Sequence, residues 1–489
     1  MFFGKEKDFY GGFKAMEFRE VLLTPDELIE YAKNIGKNHT VFSNKYSLQK
    51  LIKRLNDNFD FISFSYKSFN RAIQEARDLC PASEWLLDNF YKIEEQVKEV
   101  RQNLSKEKFL KLSTLNSGYL KGIPRIYGVA LEYVVHRDGK LDQELLINFI
   151  DSYQSQRVLT IAEIWALSLM IRCALIENIR RICQKISYSH REWAKVESIS
   201  NLSEEEILLA IKENIELDGR ANLTYVEHLL KVLKRGEIEA GPFLNYLQNK
   251  LKDYNTTVRE LIEEEHREQA RRKISIGNSI TSLNIVATLD WNDIFESLSV
   301  VEGILREDPN GVYSQLDFDS RDYYRKHIEK ISEKLGESET RVARKAIEKA
   351  QEAMANNEGR KKSHVGYFLL DKGRKDLFES LGHFNIRDIL YRKSPLIYLF
   401  PILAISFFIL YLSIIYGRRF AGDGLGIPIL IGVITLIPAS DIGVLFSNWI
   451  LTNLFPPSYL PRIEFREGIS KSASTLVVVP TLLTSRDRS

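Results

Sequence analysis

Apolar residues recur at helical spacing along most of the first 355 residues. Between Ser47 and Leu79, Leu48, Leu51, Ile52 and Leu55, then Phe69, Ile73 and Ala76, keep one face apolar while Lys and Asp fill the other. That is the pattern of an amphipathic helix. Cys80-Pro81 closes it, because a residue before proline disfavours the helical region. Helix starts are written as capping boxes at Thr24-Pro25-Asp26-Glu27, Thr160-Ile161-Ala162-Glu163 and Ser203-Glu204-Glu205-Glu206. In each, a hydroxyl and a carboxylate three residues on satisfy each other's backbone N–H groups. The first adds proline at the first helical turn and predicts a helix to about Gly36. After the third, Ile207, Leu208, Ile211 and Ile215 keep helical spacing. A mainly α fold follows, with one or two irregular bundles over residues 21–355 after a tail of 1–20.

Two stretches are apolar enough to raise the question of a membrane. Ile164 to Ile176 is only 13 residues long and contains Arg172, so it predicts a buried helix; a span needs about 20 apolar residues. Pro395 to Tyr416 holds 22 residues without a formal charge, about 33 Å of helix, enough for a hydrocarbon core of about 30 Å. A second segment, 425–455, is interrupted by Pro428, Pro438, Ser440 and Asp441, and predicts a kinked or broken span. Asp441 has two readings. It lines an internal, watery path, or Pro438 breaks the helix and leaves it near an interface.

Charge and punctuation set the surroundings of these segments. Arg387, Arg392 and Lys393 precede the first span, as in a cytosolic approach, while Arg418 and Arg419 after it blur the asymmetry. Two crossings would return the chain to the side it left. Met1 to Met16 has no apolar core of signal-peptide length, which keeps the soluble region on the cytosolic side of what the two segments make a multi-pass membrane protein. Asn356 to Lys362 is polar and basic, follows a charged helix from about Thr340 to Ala355, and predicts a domain boundary with a linker over 356–394. Thr475 to Pro480, within a last segment of 456–489, is a β-branched run closed by proline, the pattern of a first, buried parallel strand. Its sheet is expected to continue beyond Ser489.

Composition narrows the function. Lys and Arg number 68 against 66 Asp and Glu, a net charge of +2, so no basic field for nucleic acid exists. Cys80, Cys173 and Cys183 match neither a zinc pattern nor a disulfide framework and read as reduced thiols. Asp138-Gly139-Lys140-Leu141-Asp142 lacks the ligand alternation of a calcium loop and reads as a turn between helices. Glu263, Glu264, Glu265 and His266 read as a solvated helix face. Ser275 to Ser282, preceded by Arg271, Arg272 and Lys273, offers small and hydroxyl residues for a phosphate loop but lacks the Walker pattern. Trp85, Trp165 and Trp291 sit among apolar neighbours and read as core, with sugar stacking the alternative. No catalytic, cofactor-binding or metal-ligating residue emerges.

Long blocks carry a resemblance. They include Ser83-Glu84-Trp85-Leu86-Leu87-Asp88-Asn89-Phe90, Gly122-Ile123-Pro124-Arg125-Ile126-Tyr127 and Leu159-Thr160-Ile161-Ala162-Glu163-Ile164-Trp165-Ala166-Leu167. Ser275 to Leu283 with Asp290-Trp291, Asp308 to Tyr313, His364 to Tyr367, Asp371 to Arg374, Pro438-Ala439-Ser440 and Leu476 to Leu483 continue them in order. From about residue 20 onward the chain resembles the N-terminal region of bacterial cyclic β-1,2-glucan synthases.

That resemblance implies an inner-membrane enzyme that polymerises glucose from UDP-glucose into a β-1,2-linked ring, with a cytosolic glycosyltransferase and a glycoside-phosphorylase-like domain downstream. Thr475 to Pro480 would open the transferase, truncated here. Its divalent-metal motif and catalytic carboxylate would lie beyond Ser489, so none is carried over and the chain is expected to be inactive alone. Its partners would be the lipid bilayer and the downstream domains or a second copy. The alternative is a membrane-tethered interaction or scaffold protein without enzymatic activity.

Overall fold

The computed structural model describes residues 21–43, 46–104, 112–199, 202–217, 219–235, 241–383, 395–421, 426–454, 459–465, 468, 471 and 474. The tail of 1–20, the basic residues Arg387, Arg392 and Lys393, and Thr475 to Pro480 lie outside them. Among the described residues there are eighteen α-helices and two short antiparallel ribbons, so the fold is mainly α. It forms two compact units, 1–299 and 300–489.

In the first unit, α1 (Pro25–Asn38) starts where the Thr24 hydroxyl accepts from Glu27 N–H and the Glu27 carboxylate accepts from Thr24 N–H at 2.9 Å. Strand β1 (Val41–Ser43) pairs with β2 (Ser113–Leu115). Helix α2 (Ser47–Gln74) ends five residues short of Leu79, because Ala76 turns the chain at φ +51°, and α3 (Pro81–Leu104) begins on the proline itself. Helices α4 (Arg125–His136) and α5 (Gln143–Gln154) lead to α6 (Ile161–Glu197), 37 residues long. Ile164 to Ile176 lies inside α6, where Ala166, Leu167, Met170, Ile171, Ala174 and Ile176 are all sealed from solvent. It is a core helix, as its length predicted.

Helix α7 (Glu204–Asn214), the β3–β4 ribbon (Glu216–Leu217, Arg220–Ala221), α8 (Leu223–Lys234) and α9 (Gly241–Lys252) lead to α10 (Val258–Thr288) and α11 (Trp291–Leu298). Ile207, Ile211, Tyr225, Leu229, Phe243 and Leu261 form a core of their own here. All three predicted capping boxes are present, with a fourth at Thr257 and Glu260 that the sequence reading passed over. Helix α6 packs against α2, α3, α4, α8 and α10.

The second unit begins with α12 (Val300–Leu305), then α13 (Phe318–Leu335), α14 (Glu339–Ala355), α15 (Val365–Leu370) and α16 (Arg374–Ser380). The boundary expected at Asn356 to Lys362 is instead a turn within this unit. Gly359 adopts φ +95° there, and α14 packs back on α15 and α16. The compact units divide the region 21–355 at Ser299–Val300, and in the described part of 356–394 the segments Val365–Leu370 and Arg374–Ser380 are helical. Two apolar helices close the unit, α17 (Pro395–Ala421) and α18 (Gly426–Leu454). Helix α18 runs through Pro438 without interruption, so the segment is not broken there.

Buried charges bind the helices. Glu177 on α6, 1% exposed, accepts from Arg54 Nε at 2.6 Å, from the Tyr127 hydroxyl and from Asn58 at 3.3 Å, joining α6 to α2 and α4. Burial pushes its carboxyl up, but Arg54 and the Tyr127 hydroxyl outweigh this and hold it below the usual range. Arg125 on α4 pairs with Glu163, which also serves the Thr160 capping box. In the second unit Glu302 accepts from Arg325 at 2.6 Å, from Tyr313 at 2.7 Å and from Arg306 at 2.8 Å, with Arg325 wholly buried.

Removing one partner of such a pair strands a charge, a loss of about 3–5 kcal/mol. Glu177→Ala is expected to lower stability by that amount in chemical denaturation, while Glu30→Ala, whose pair with Lys33 is exposed, leaves it unchanged. Equal effects would refute the assignment.

Candidate functional site

The segments singled out for chemistry mostly serve packing. Asp138 and Gly139 turn the chain between α4 and α5 at φ +52° and +72°, and Asp142 caps α5 by accepting from Leu145 N–H at 2.9 Å. Ser275 to Ser282 is not a loop; it lies inside α10. Its hydroxyls fasten that turn: Ser282 accepts from Leu141 N–H at 2.8 Å and Ser279 accepts from Asn178 at 3.0 Å. A side chain at Gly139 would collide with Ser279. The acidic stretch is split. Glu263 and His266 are exposed, but Glu265 is buried and accepts from Thr224 at 3.0 Å, so the solvated-face reading fails for that residue.

Trp165 stacks on Phe295 with centroids 4.5 Å apart, and Trp291 donates to the Val286 carbonyl at 2.9 Å. Trp85 departs from the core reading: it is 36% exposed, its ring lying over Gly277. Cys80, Cys173 and Cys183 are buried free thiols, and burial pushes the last two up to about 12. Among the described residues no group of His, Cys, Asp and Glu has the arrangement of a metal site. A crevice of about 390 Å³ includes Phe69, His190 and Trp193, and His228 stacks on the Trp193 ring, 5.0 Å away and nearly parallel.

The hairpin of α17 and α18 inverts the packing rule of the rest. Phe400, Phe407, Ile437 and Leu445 face outward, each two-thirds exposed or more, while Ala439 and Ser447 are buried in the seam. Ala439, Gly443 and Ser447 recur every four residues on α18. A Cβ on Gly443 would meet the Ile402 carbonyl at 2.9 Å, and Ser406 donates to the Ala439 carbonyl at 3.3 Å. Small residues at this spacing let apolar helices approach closely in lipid. Both helices are long and apolar enough to cross a membrane. Asp441 is exposed. It lies about 22 Å along α18 from Gly426 at 1.5 Å per residue, midway and opposite the seam, on a helix that is not broken at Pro438.

After α18 the chain returns to the helical part of its own unit. Asp317 N–H donates to the Arg462 carbonyl at 2.9 Å, Glu464 N–H to Gln315 at 2.8 Å, and Arg462 N–H to the Ser320 hydroxyl at 2.8 Å. The Tyr459 ring packs on Tyr323 with centroids 5.1 Å apart. Sequence reasoning missed this strap, because no local pattern in 459–464 names its partner.

Comparison with known proteins gives the setting for these helices. No family model matches the chain. The chain is 30% identical over 437 residues, 86% of its length, to the cyclic beta-(1,2)-glucan synthase NdvB of Rhizobium meliloti (strain 1021). The chain is a relative of that family. It spans 15% of the length of that curated relative.

The seam and three largely covered histidines each yield a measurement. Gly443→Val overpacks the seam, at a cost of about 1–3 kcal/mol, and is expected to slow oxidative cross-linking of an Ile414→Cys, Gly432→Cys pair; unchanged rates would refute the seam. Burial pushes His39, His190 and His228 down to about 4, and His190 Nε2 accepts from Cys80 N–H at 3.1 Å, which requires the neutral ring. The unfolded chain binds these protons near pH 6.5, so their contribution is complete above 6.5 and declines as pH falls towards 4, at about 1.4 kcal/mol per unit of depression. His136 opposes the trend: burial lowers it, but Glu132 outweighs burial and raises it. The melting temperature is expected to fall between pH 6.5 and 4.5, less steeply in His190→Asn; a flat profile would refute it.

Proposed function

We propose that this chain is the helical and membrane-anchoring part of a cyclic β-1,2-glucan synthase-like glycosyltransferase. The observation that carries the reading is 30% identity to such a synthase over 86% of the chain. The hairpin supports the anchoring half of it, with an apolar outer surface and a small-residue seam. In this reading α17 and α18 cross the inner membrane as a pair, and the strap at 459–464 holds the returning chain on the cytosolic side. UDP-glucose and a divalent metal are used by transferase residues outside this chain, which by itself transfers no glucose.

The alternative, a tethered interaction module, needs an open apolar face. Exposed apolar side chains of the helical units include Tyr46, Tyr91, Leu209 and Ile274, on four different segments, and no observation favours it.

Two measurements test the proposal. In intact cells, Asp423→Cys between the helices is expected to react with an impermeant maleimide, while Asn310→Cys reacts only after permeabilisation; the reverse order, or equal labelling, refutes the topology. The purified chain with UDP-glucose and Mg²⁺ or Mn²⁺ is expected to make no glucan, and sustained synthesis would overturn the division of labour.

A further inference from the structure

We propose that residues 21–24, which join the first twenty residues of the chain to α1, are latched by His136 on α4 and released when that ring loses a proton. Val21 and Leu22 are each more than half exposed, so little apolar burial holds this segment. Its polar contacts do. His136 Nδ1–H donates to the Val21 carbonyl at 2.7 Å, Leu23 N–H donates to the His136 carbonyl at 3.3 Å, and Arg137 Nη1 donates to the Leu23 carbonyl at 3.3 Å. Leu22 also stands in the wall of a crevice of about 350 Å³ between α6 and α10, together with Arg181 and Arg271, so release of the segment opens that wall.

The surroundings of the two ring nitrogens fix the charge of the latched state. Nδ1 faces the Val21 carbonyl and Nε2 stands 3.5 Å from the Glu132 carboxylate. Both neighbours are acceptors, and only the imidazolium carries an N–H on each nitrogen. Glu132 is held as the anion: burial pushes its carboxyl up, but His136 and the hydroxyls of Tyr119 and Tyr31, which donate to it at 2.7 and 3.0 Å, outweigh this and keep it below the usual range. Tyr31, on α1, also meets the His136 ring edge-on at 4.6 Å. Burial and Glu132 push both phenols up, burial pushes His39, which also feels Glu132, down to about 4, and Arg137 stays a cation. His136 is therefore the member of this cluster that titrates near neutrality; burial lowers it, but Glu132 and the Val21 carbonyl outweigh burial and raise it. A neutral ring has one N–H for two acceptors. The carboxylate, being charged, makes the stronger bond and keeps it, which leaves the Val21 carbonyl against a lone pair. The hold is complete below pH 6.5 and is lost as pH rises through the raised value of the latched ring. This inference does not depend on the glucan synthase reading.

The test is hydrogen exchange of the Leu23 amide in the whole chain in phosphatidylcholine nanodiscs, read by mass spectrometry with electron-transfer fragmentation between pH 6 and pH 9 and corrected for the intrinsic rate at each pH. Leu28, whose N–H donates to the Thr24 carbonyl at 2.9 Å in the first turn of α1, is the reference. Protection of Leu23 relative to Leu28 is expected to fall as pH rises, about tenfold for each unit by which the latched ring lies above 6.5. Glu132→Gln removes the charge that keeps the second proton and is expected to move the fall to lower pH, while His136→Asn is expected to leave protection low throughout. A ratio that does not change with pH in the unaltered chain overturns the proposal whatever the variants do. So does an equal fall in His136→Asn, which places the titration elsewhere, or a fall that Glu132→Gln does not move.

Discussion

The first unit depends on a carboxylate that has no access to water. Glu177 stands in the 37-residue helix α6 and is met by Arg54 from α2 and Tyr127 from α4. A charge in that position is tolerated only while its partners are in place, so the pair sets the approach of three helices in a way that apolar contact alone does not. Arg125 with Glu163 repeats the device one helical stretch earlier, and Glu302 with Arg325 repeats it in the second unit. Apolar packing supplies most of the stabilisation. The ion pairs restrict which packing is allowed.

The hairpin obeys the opposite arrangement. In the helical units large apolar groups are sealed in and small or polar ones face out; along α17 and α18 the large groups face out and Gly443, Ala439 and Ser447 fill the seam. This is the expected solution where the surroundings are as apolar as the side chains and close approach is the remaining source of attraction. Asp441 is the exception, a charged residue on the outer surface midway along α18, and the energetic demand it makes falls on whatever covers that face. The strap of 459–464 is held at the start of α13 by backbone hydrogen bonds to Gln315 and Asp317, by the Ser320 hydroxyl and by the Tyr459 ring against Tyr323.

The family relationship and the structure bear on different questions. Identity to a glucan synthase over most of the chain gives a biochemical setting. The structure shows how the matching blocks are used. Ser275 to Ser282 holds a turn, Thr160 to Glu163 starts and clamps α6, and Asp308 accepts from Val365 N–H at 2.9 Å beside His364.

Local interactions were legible in the residues alone. Capping boxes, the turn at Asp138 and Gly139, the apolar length of 395–416 and the buried character of 164–176 each depend on neighbours within a few positions, and periodicity reports them. Tertiary structure decided the rest. It divided the chain at Ser299–Val300, packed α14 back on α15 and α16 across the expected boundary, continued α18 through Pro438 without a break, buried Glu265 but not Glu263, and left Trp85 at the surface. It also brought Arg181 and Lys185 across from Arg271 and Arg272, residues some ninety positions apart whose shared crevice no local pattern encodes. The physical reason is the same throughout: a helix's own sequence states which face is apolar, but only the neighbouring helix determines which polar group on its border is covered and which is left open.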